Sequence, residues 1–277
     1  MKSILTSTLL ASCLAVSSVA VAGDRPLWEI GVGAAALSFP AYRGSDETNN
    51  FLMPVPHFTY NGDFFKADRH GIRGSLFDSD RVDLTVSLAL SPPAPSDDIK
   101  ARAGMRDLEA TFEIGPQLDL TLWRSENRAR FVKLLLPLRA AVTLESSPDS
   151  IGWVFHPKLN MDITDLPGLP GWNLGTLAGP IWGDKRQHAY YYSVAPRYAT
   201  ALRPAYEAGS GYAGMQYLVA LSKRFPKYWV GSFIRYDNLS GATFANSPLV
   251  RQKDYFAAGI AVTWVLGESS TRVQVND

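Results

Sequence analysis

The chain has 277 residues, with 27 Lys and Arg against 26 Asp and Glu, so it carries no basic excess of the kind that points to nucleic acid. Its single cysteine, Cys13, lies near the N-terminus, which excludes a disulfide framework and a thiolate metal site in the rest of the chain. Beyond the N-terminal segment no apolar run reaches the ~18–20 residues of a membrane-spanning helix.

The first element is a targeting segment. Lys2 is the only charge before Asp24, Ile4 to Val21 is apolar with small hydroxyl residues between, and Ala20-Val21-Ala22 fits the A-x-A cleavage pattern. Residues 1–22 read as a cleaved signal peptide and 23–277 as one exported domain beginning at Gly23. Leu10-Ala11-Ser12-Cys13 resembles a lipobox, but apolar sequence continues past Cys13 and a better cleavage site follows.

Trp28–Phe39 reads as the first strand, with many Gly and Ala. Its Gly31-Val32-Gly33-Ala34-Ala35-Ala36 matches a dinucleotide-binding pattern by letters only, because Pro40 leaves no room for the helix that must meet a pyrophosphate. No cofactor is implied. Pro40–Asn50 is a loop. Phe51–Tyr60 and Asp63–Lys66 flank Asn61-Gly62, a strong hairpin signal. Pro54 and Pro56 weaken the first of these runs, since each removes a ladder donor. Gly71–Phe77 reads as the third strand continued past a bulge. Arg81–Leu90 is the clearest strand: Val82, Leu84, Val86, Leu88 and Leu90 share one face, and Asp83, Thr85, Ser87 and Ala89 the other.

Ser91–Arg106, with Pro92, Pro93 and Pro95, is a loop. Asp107–Trp123 alternates Leu108, Ala110, Phe112 and Ile114 against Asp107, Glu109, Thr111 and Glu113. Ala129–Glu145 spaces Leu134, Leu135, Leu138 and Val142 as a helix would, but Pro137 and the β-branched residues argue for a strand. Its polar face carries Lys133, Arg139 and Thr143. Gly152–Thr164 sets His156, Lys158, Asn160 and Asp162 against Trp153, Phe155, Leu159 and Met161. Trp172–Trp182 and Ala189–Thr200 are weaker strands. Gly211–Phe225, Tyr228–Leu239 and Asp254–Leu266 are stronger. The total is about twelve, in a range of roughly 10–14.

The oily faces need either a second sheet or lipid. Several strands run past the ~5–6 residues usual in soluble sheets and reach the ~9–11 of a tilted membrane strand. Trp123, Trp153, Trp172, Trp182, Tyr228, Trp229, Tyr255 and Trp264 sit near strand ends, where an interfacial girdle would place them. The other face carries mid-strand charge at Asp83, Glu109, Glu113, Lys133, Arg139, Lys158 and Asp162. The expected fold is therefore all-β: a transmembrane antiparallel β-barrel, closed because lipid offers no partner to an open sheet edge. Those seven charges are the candidate lumen residues. They line a wet pore or pair across it, with Lys133 and Arg139 set against Glu109 and Glu113 as an ion-pair ladder.

With both termini in the periplasm, Asn61-Gly62 and Pro226-Lys227 are short inner turns, while Pro40–Asn50 and Ser240–Lys253 are longer outer loops. On this count Ser91–Arg106 falls on the periplasmic side. Either a strand before it is miscounted or it is a docking segment. The histidines His57, His70, His156 and His188 are scattered, without metal-ligand spacing. His57 near Thr59, His70 near Ser75 and His188 near Ser193 are weak pointers to a lipid hydrolase. The expectation is no enzyme.

Two segments carry a resemblance. Phe39-Pro40-Ala41-Tyr42-Arg43-Gly44-Ser45-Asp46 resembles the P-x-Y-x-G-S segment after the first strand of the MltA-interacting protein/OmpV family. Tyr236-Asp237-Asn238-Leu239-Ser240-Gly241, followed by Asn246-Ser247-Pro248-Leu249-Val250, resembles that family's loop before its last strand. The chain departs from the pattern at Gly241-Ala242-Thr243, where the family has Gly-Asp-Ala, and in lacking a terminal aromatic. The motif residues are Pro40, Tyr42, Gly44, Ser45, Tyr236, Gly241, Ser247 and Pro248. The resemblance implies a protein of the cell outer membrane, in contact with its lipid. It further implies a scaffold tying a murein lytic transglycosylase to a murein synthase, or alternatively a narrow porin-like channel.

Overall fold

The structure, a computed structural model, describes residues 24–62, 65–68, 71–79 and 81–274. The signal segment, the two residues after Gly62, and His70 lie outside them. Alternating side chains produce long strands: β1 (Asp24–Pro26), β2 (Trp28–Pro40), β3 (Thr48–Asn61), β4 (Phe65–Asp68), β5 (Gly71–Asp78), β6 (Val82–Ser91), β7 (Thr111–Arg124) and β8 (Arg130–Thr143). β9 (Ser150–Phe155), β10 (Lys158–Ile163), β11 (Trp172–Gly183), β12 (Gly211–Arg224), β13 (Tyr228–Asn238), β14 (Asp254–Glu268) and β15 (Arg272–Gln274) follow, with one helix, α1 (Lys185–Tyr192), between β11 and β12.

Each neighbour pairs antiparallel, and β14 returns to pair with β2. β8 pairs with both β9 and β10, and β11 pairs with the same two strands from the other side. The break at His156-Pro157 therefore divides one wall strand in two. The thirteen-stranded sheet closes on itself there, giving twelve positions around a barrel. β1 and β15 pair with each other as a small separate sheet beside the termini.

Two departures from the sequence reading cancel in the strand count. Asp68 pairs directly with Gly71, so the chain reverses between them and β4 and β5 form a hairpin where one bulged strand was expected. Ala189–Thr200 is no strand: Asp184 caps α1 by accepting the Gln187 N–H at 2.8 Å, and a 3-10 turn at Pro196–Tyr198 follows. The extra reversal also moves Ser91–Arg106 to the end opposite the termini, with the other long loops. It is a miscounted neighbour of the outer loops and not an inner docking segment.

Burial alternates as lipid on one side and lumen on the other demand. Val219, Ile234, Phe256 and Ile260 are half-exposed or more, while Ala35, Ala141, Ala257 and Thr263 on the opposite parity are buried. Gly31 and Gly33 face inward where β14 approaches closely: a Cβ on Gly31 would stand 1.8 Å from the Trp264 carbonyl oxygen. Trp123, Trp153, Trp182 and Trp264 are exposed at strand ends. Tyr255 and Trp229 correct the girdle reading. Tyr255 is buried against Arg43, and Trp229 lines the lumen.

Four loops, 41–47, 92–110, 184–210 and 239–253, converge over the outer mouth as a packed cap. Its core joins Tyr42, Leu108, Tyr192, Leu239, Phe244 and Leu249 to inward residues at the strand tops, Val154, Ile181, Ala213 and Tyr255. Phe244 stacks on Tyr192 at 3.6 Å between ring centroids, with His188 edge-on at 4.8 Å.

Candidate functional site in the barrel lumen

Strand parity aims most of the predicted charges inward, and pairing then follows from register. Glu113 on β7 lies opposite Ala141, so Arg139, two residues along β8, reaches it diagonally at 2.8 Å. The same guanidinium donates to Ser87 Oγ on β6 at 3.3 Å. Gly115 clears the way, since a Cβ there would meet the Arg139 Cα at 2.9 Å. Lys133 reaches past β7 to Asp83 on β6 at 3.5 Å. Asp162 accepts from the Asn160 amide at 2.9 Å. Lys158 lines the lumen and makes no ion pair among the described residues.

Glu109 departs from the expected ladder. β7 starts at Thr111, and Glu109 belongs to the cap, where its N–H donates to the Tyr190 hydroxyl at 2.8 Å. The preceding loop competes for this stretch: Asp107 accepts the Ser96 N–H at 2.6 Å and Leu108 bridges to Ala94.

Sequence reasoning missed two clusters. At the terminal end, Glu29 receives Arg224 at 2.7 Å and His57 at 3.4 Å, and Thr263 Oγ1 lies 2.9 Å from His57 Nδ1. At the cap end, the fully buried Asp237 receives Arg43 Nε at 3.2 Å, Arg235 Nε at 2.7 Å and Gln216 at 3.2 Å. Arg235 and Asp237 share the inward parity of β13, a signal legible in the sequence. Arg43 sits in a loop, where parity says nothing.

The hydroxyl–histidine pairs fare differently. His57 and Thr59 both reach Glu29. Ser193 accepts the Ala208 N–H at 2.9 Å while His188 Nδ1 donates to the Gly209 carbonyl at 2.6 Å, so these two are not brought together. His70 with Ser75 lies outside the described side chains. The Thr263–His57–Glu29 chain has the order of a hydroxyl, base and acid. Thr263 is only 4% exposed, however, and neither it nor His57 is among the residues lining the cavity. The chain reads as a fixed network holding β2, β3, β12 and β14 together. Among the described residues no three His, Cys, Asp or Glu converge as a metal site.

The two motif segments, some 200 residues apart, meet in the cap. The Tyr42 hydroxyl donates to the Leu249 carbonyl at 2.6 Å across 207 residues of chain. Gly44, at φ 95°, offers its carbonyl to the N–H groups of Arg251 (2.8 Å) and Gln252 (3.1 Å). Gln252 Nε2 donates to the Ser45 carbonyl at 2.5 Å, and Ser247 Oγ to the Tyr192 carbonyl at 2.7 Å. Gly241 turns the second loop at φ 76°. Pro40 ends β2 and Pro248 lies between Ser247 and the buried Leu249. Tyr236 stands apart: it faces outward from β13 and packs on Phe256 and Tyr217. Burial raises the Tyr42 and Tyr192 hydroxyls well above the usual phenol range, and burial holds the His188 imidazole below its ordinary value. These groups stay neutral and lock the cap.

A family model described as MltA-interacting protein MipA matches residues 32–266. Outer membrane protein OmpV of Vibrio cholerae serotype O1 is 24% identical over 243 residues, covering 86% of each chain. Among solved structures, a bacterial polysaccharide outer membrane secretin gives a TM-score of 0.41 at 9% identity, over 87% of this chain and 99% of its own. The P. putida toluene transporter TodX gives 0.28 at 9% identity, over 88% and 68%. Likenesses at that level carry no conclusion about fold or function.

Proposed function

We propose, on the premise that this chain belongs to the MltA-interacting protein MipA family, that it serves as a non-enzymatic scaffold of the outer membrane. Family and fold place it in that membrane, with lipid against its apolar belt. The scaffold role is the further step. The observation that supports it is the cap: a packed apolar core seated over the outer mouth, above a lumen whose charges are largely paired. A barrel stoppered in this way suits holding partners better than passing solutes. The partners that the family resemblance suggests are a murein lytic transglycosylase and a murein synthase. They would meet the periplasmic end, where the short turns and the β1–β15 sheet lie. Export by cleavage after Ala22 belongs to the same reading.

Planar-bilayer conductance of the refolded chain from Gly23, with co-purification of murein enzymes, tests it. A silent, heat-modifiable barrel that retains those enzymes is expected. Stable, salt-dependent steps would replace it with the channel reading, for which a lumen cavity of about 870 Å³ is the favouring observation.

A further inference from the structure

The lumen cavity of about 870 Å³ falls in the size range of small-molecule sites. On its β13 wall two aromatic rings lie over glycines. Trp229, the second residue of β13, folds over Gly231 of its own strand, where a Cβ would overlap the indole. Phe233, four residues on, covers its cross-strand partner Gly259 on β14, where a Cβ would stand 2.5 Å from the ring. Both side chains share the inward parity of β13, and both line the cavity. The glycines let the rings lie along the wall instead of standing across the lumen, so an aromatic panel borders the cavity.

Polar side chains edge this panel, and strand register places them. Ser222 of β12 pairs with Gly231 on one side and with Asn173 of β11 on the other. One strand farther round, Asp162 pairs with Gly175, and its carboxylate lies across that glycine: a Cβ there would be 3.2 Å from Oδ1. Asn160 donates to the same carboxylate at 2.9 Å and pairs with Lys133 of β8, whose ammonium reaches Asp83 at 3.5 Å. The Asn173 side-chain carbonyl accepts the Asp165 N–H at 3.3 Å. Its amide NH2 and the Ser222 hydroxyl have no partner among the described residues, and both side chains line the cavity. Trp229, Ser222, Asn173 and Asp162 each stand within a few residues of an inner turn, at the end opposite the cap.

A charged ligand would need an unpaired charge at this depth, and Lys133 and Asp162 are both engaged. An aromatic face edged by a hydroxyl, an amide and a carboxylate suits an uncharged ring with C–H groups on its faces and hydroxyls around its rim. A pyranose with equatorial substituents has that build. From Gly231 to Asp162 is three inter-strand steps of about 4.8 Å, the reach of two such rings. We propose that the periplasmic half of the lumen binds a gluco-configured disaccharide, one ring stacked on Trp229 beside Ser222 and the next held by Asn173 and Asp162. The proposal does not rest on the scaffold role.

The test titrates the full mature chain, in lipid nanodiscs free of sugar detergent, with cellobiose by calorimetry. Saturable binding is expected. Trp229→Ala raises the half-saturating concentration about ten-fold, and Trp229→Tyr recovers much of the loss. Asn173→Ala weakens binding several-fold, the loss of about one hydrogen bond. Trp264→Ala, which removes an exposed indole from the lipid face, leaves binding unchanged. Sorbitol, an open-chain polyol, does not compete, a comparison on the wild type that stands even if a variant fails to refold. N,N′-diacetylchitobiose separates two sources: tighter binding than cellobiose identifies a cell-wall glycan, weaker binding a free oligosaccharide, and both support the site. Failure of both sugars to saturate, an affinity indifferent to Trp229→Ala, or equal competition by sorbitol overturns it and leaves the rings as lumen filling. A barrel that binds sugar but retains no murein enzyme would sink the scaffold reading alone, and one that retains the enzyme but binds no sugar would sink this proposal alone.

Discussion

Truncating Phe244 to alanine asks whether the cap is a unit separate from the barrel. Phe244 is fully buried, stacked on Tyr192 and flanked by His188, and it belongs to no strand. Removing a buried phenyl ring costs ~3–5 kcal/mol, of which Tyr192 recovers little because it is held by Ser247 and by its own bond to the Arg43 carbonyl. If the cap opens locally, the whole cost falls on the opening equilibrium, and ~3 kcal/mol multiplies the open population about 100-fold. Tryptic cleavage after Arg102 reports that population when reclosing outpaces cutting. Arg102 is 3% exposed and bonds to the carbonyls of Tyr191 and Arg106, each at 3.1 Å, so it is protected only while the cap is shut. Cleavage should accelerate about 100-fold while the barrel keeps its heat-modifiable migration. An unchanged rate, or a barrel that melts together with the cap, refutes the separation.

Within the lumen, Arg139→Ala leaves the partly buried Glu113 without its guanidinium and should destabilise by ~1–3 kcal/mol in urea unfolding, with the double Ala variant milder than the two losses added. Additive losses would mean the pair is not coupled. On the lipid face, Ile234→Arg should cost ~2–4 kcal/mol in refolding into vesicles, whereas Leu202→Arg, in the exposed part of the cap loop, should cost almost nothing. Equal costs would place Ile234 out of the membrane. For pH, His188 donates from Nδ1 to Gly209 and leaves Nε2 buried without a partner, the arrangement of a neutral ring. Its folded value is depressed by burial from the ordinary 6.5, so the unfolded loop binds the extra proton first. Cap stability is full above pH ~6.5 and falls as pH drops from there toward the depressed value. Cleavage after Arg102 should rise over that window and lose this dependence in His188→Gln; a pH-flat wild type would remove the argument.

The alternation of RVDLTVSLAL and its counterparts settles, without any tertiary knowledge, that the chain is built of strands with one oily and one polar face, and strand length, terminal aromatics and mid-strand charge then favour lipid over a second sheet. Side-chain parity is local, and it also aims Asp83, Glu113, Lys133, Arg139, Lys158 and Asp162 at one lumen. Local signals fail where the chain leaves the ladder. Tyr190, Tyr191 and Tyr192 have strand-like composition but form a helix, because Asp184 caps it and the cap core claims Tyr192. The β4–β5 hairpin carries no turn signal in the sequence, and only the pairing of Asp68 with Gly71 reveals it.

Ring closure, partner choice and the cap belong to tertiary structure alone. Glu113 is satisfied by Arg139 because register sets them diagonally across Gly115, while Lys133 passes over β7 to Asp83. No spacing in the sequence encodes that. The family motif around Tyr42 and the one around Ser247 are each legible by themselves, yet their shared purpose depends on a hydrogen bond spanning 207 residues. The sequence determines which way each side chain faces, since two-residue periodicity is a property of the extended backbone. Which faces then touch is decided by how far neighbouring strands shift past one another and where the loops fold back, and those distances exist only once the barrel has closed.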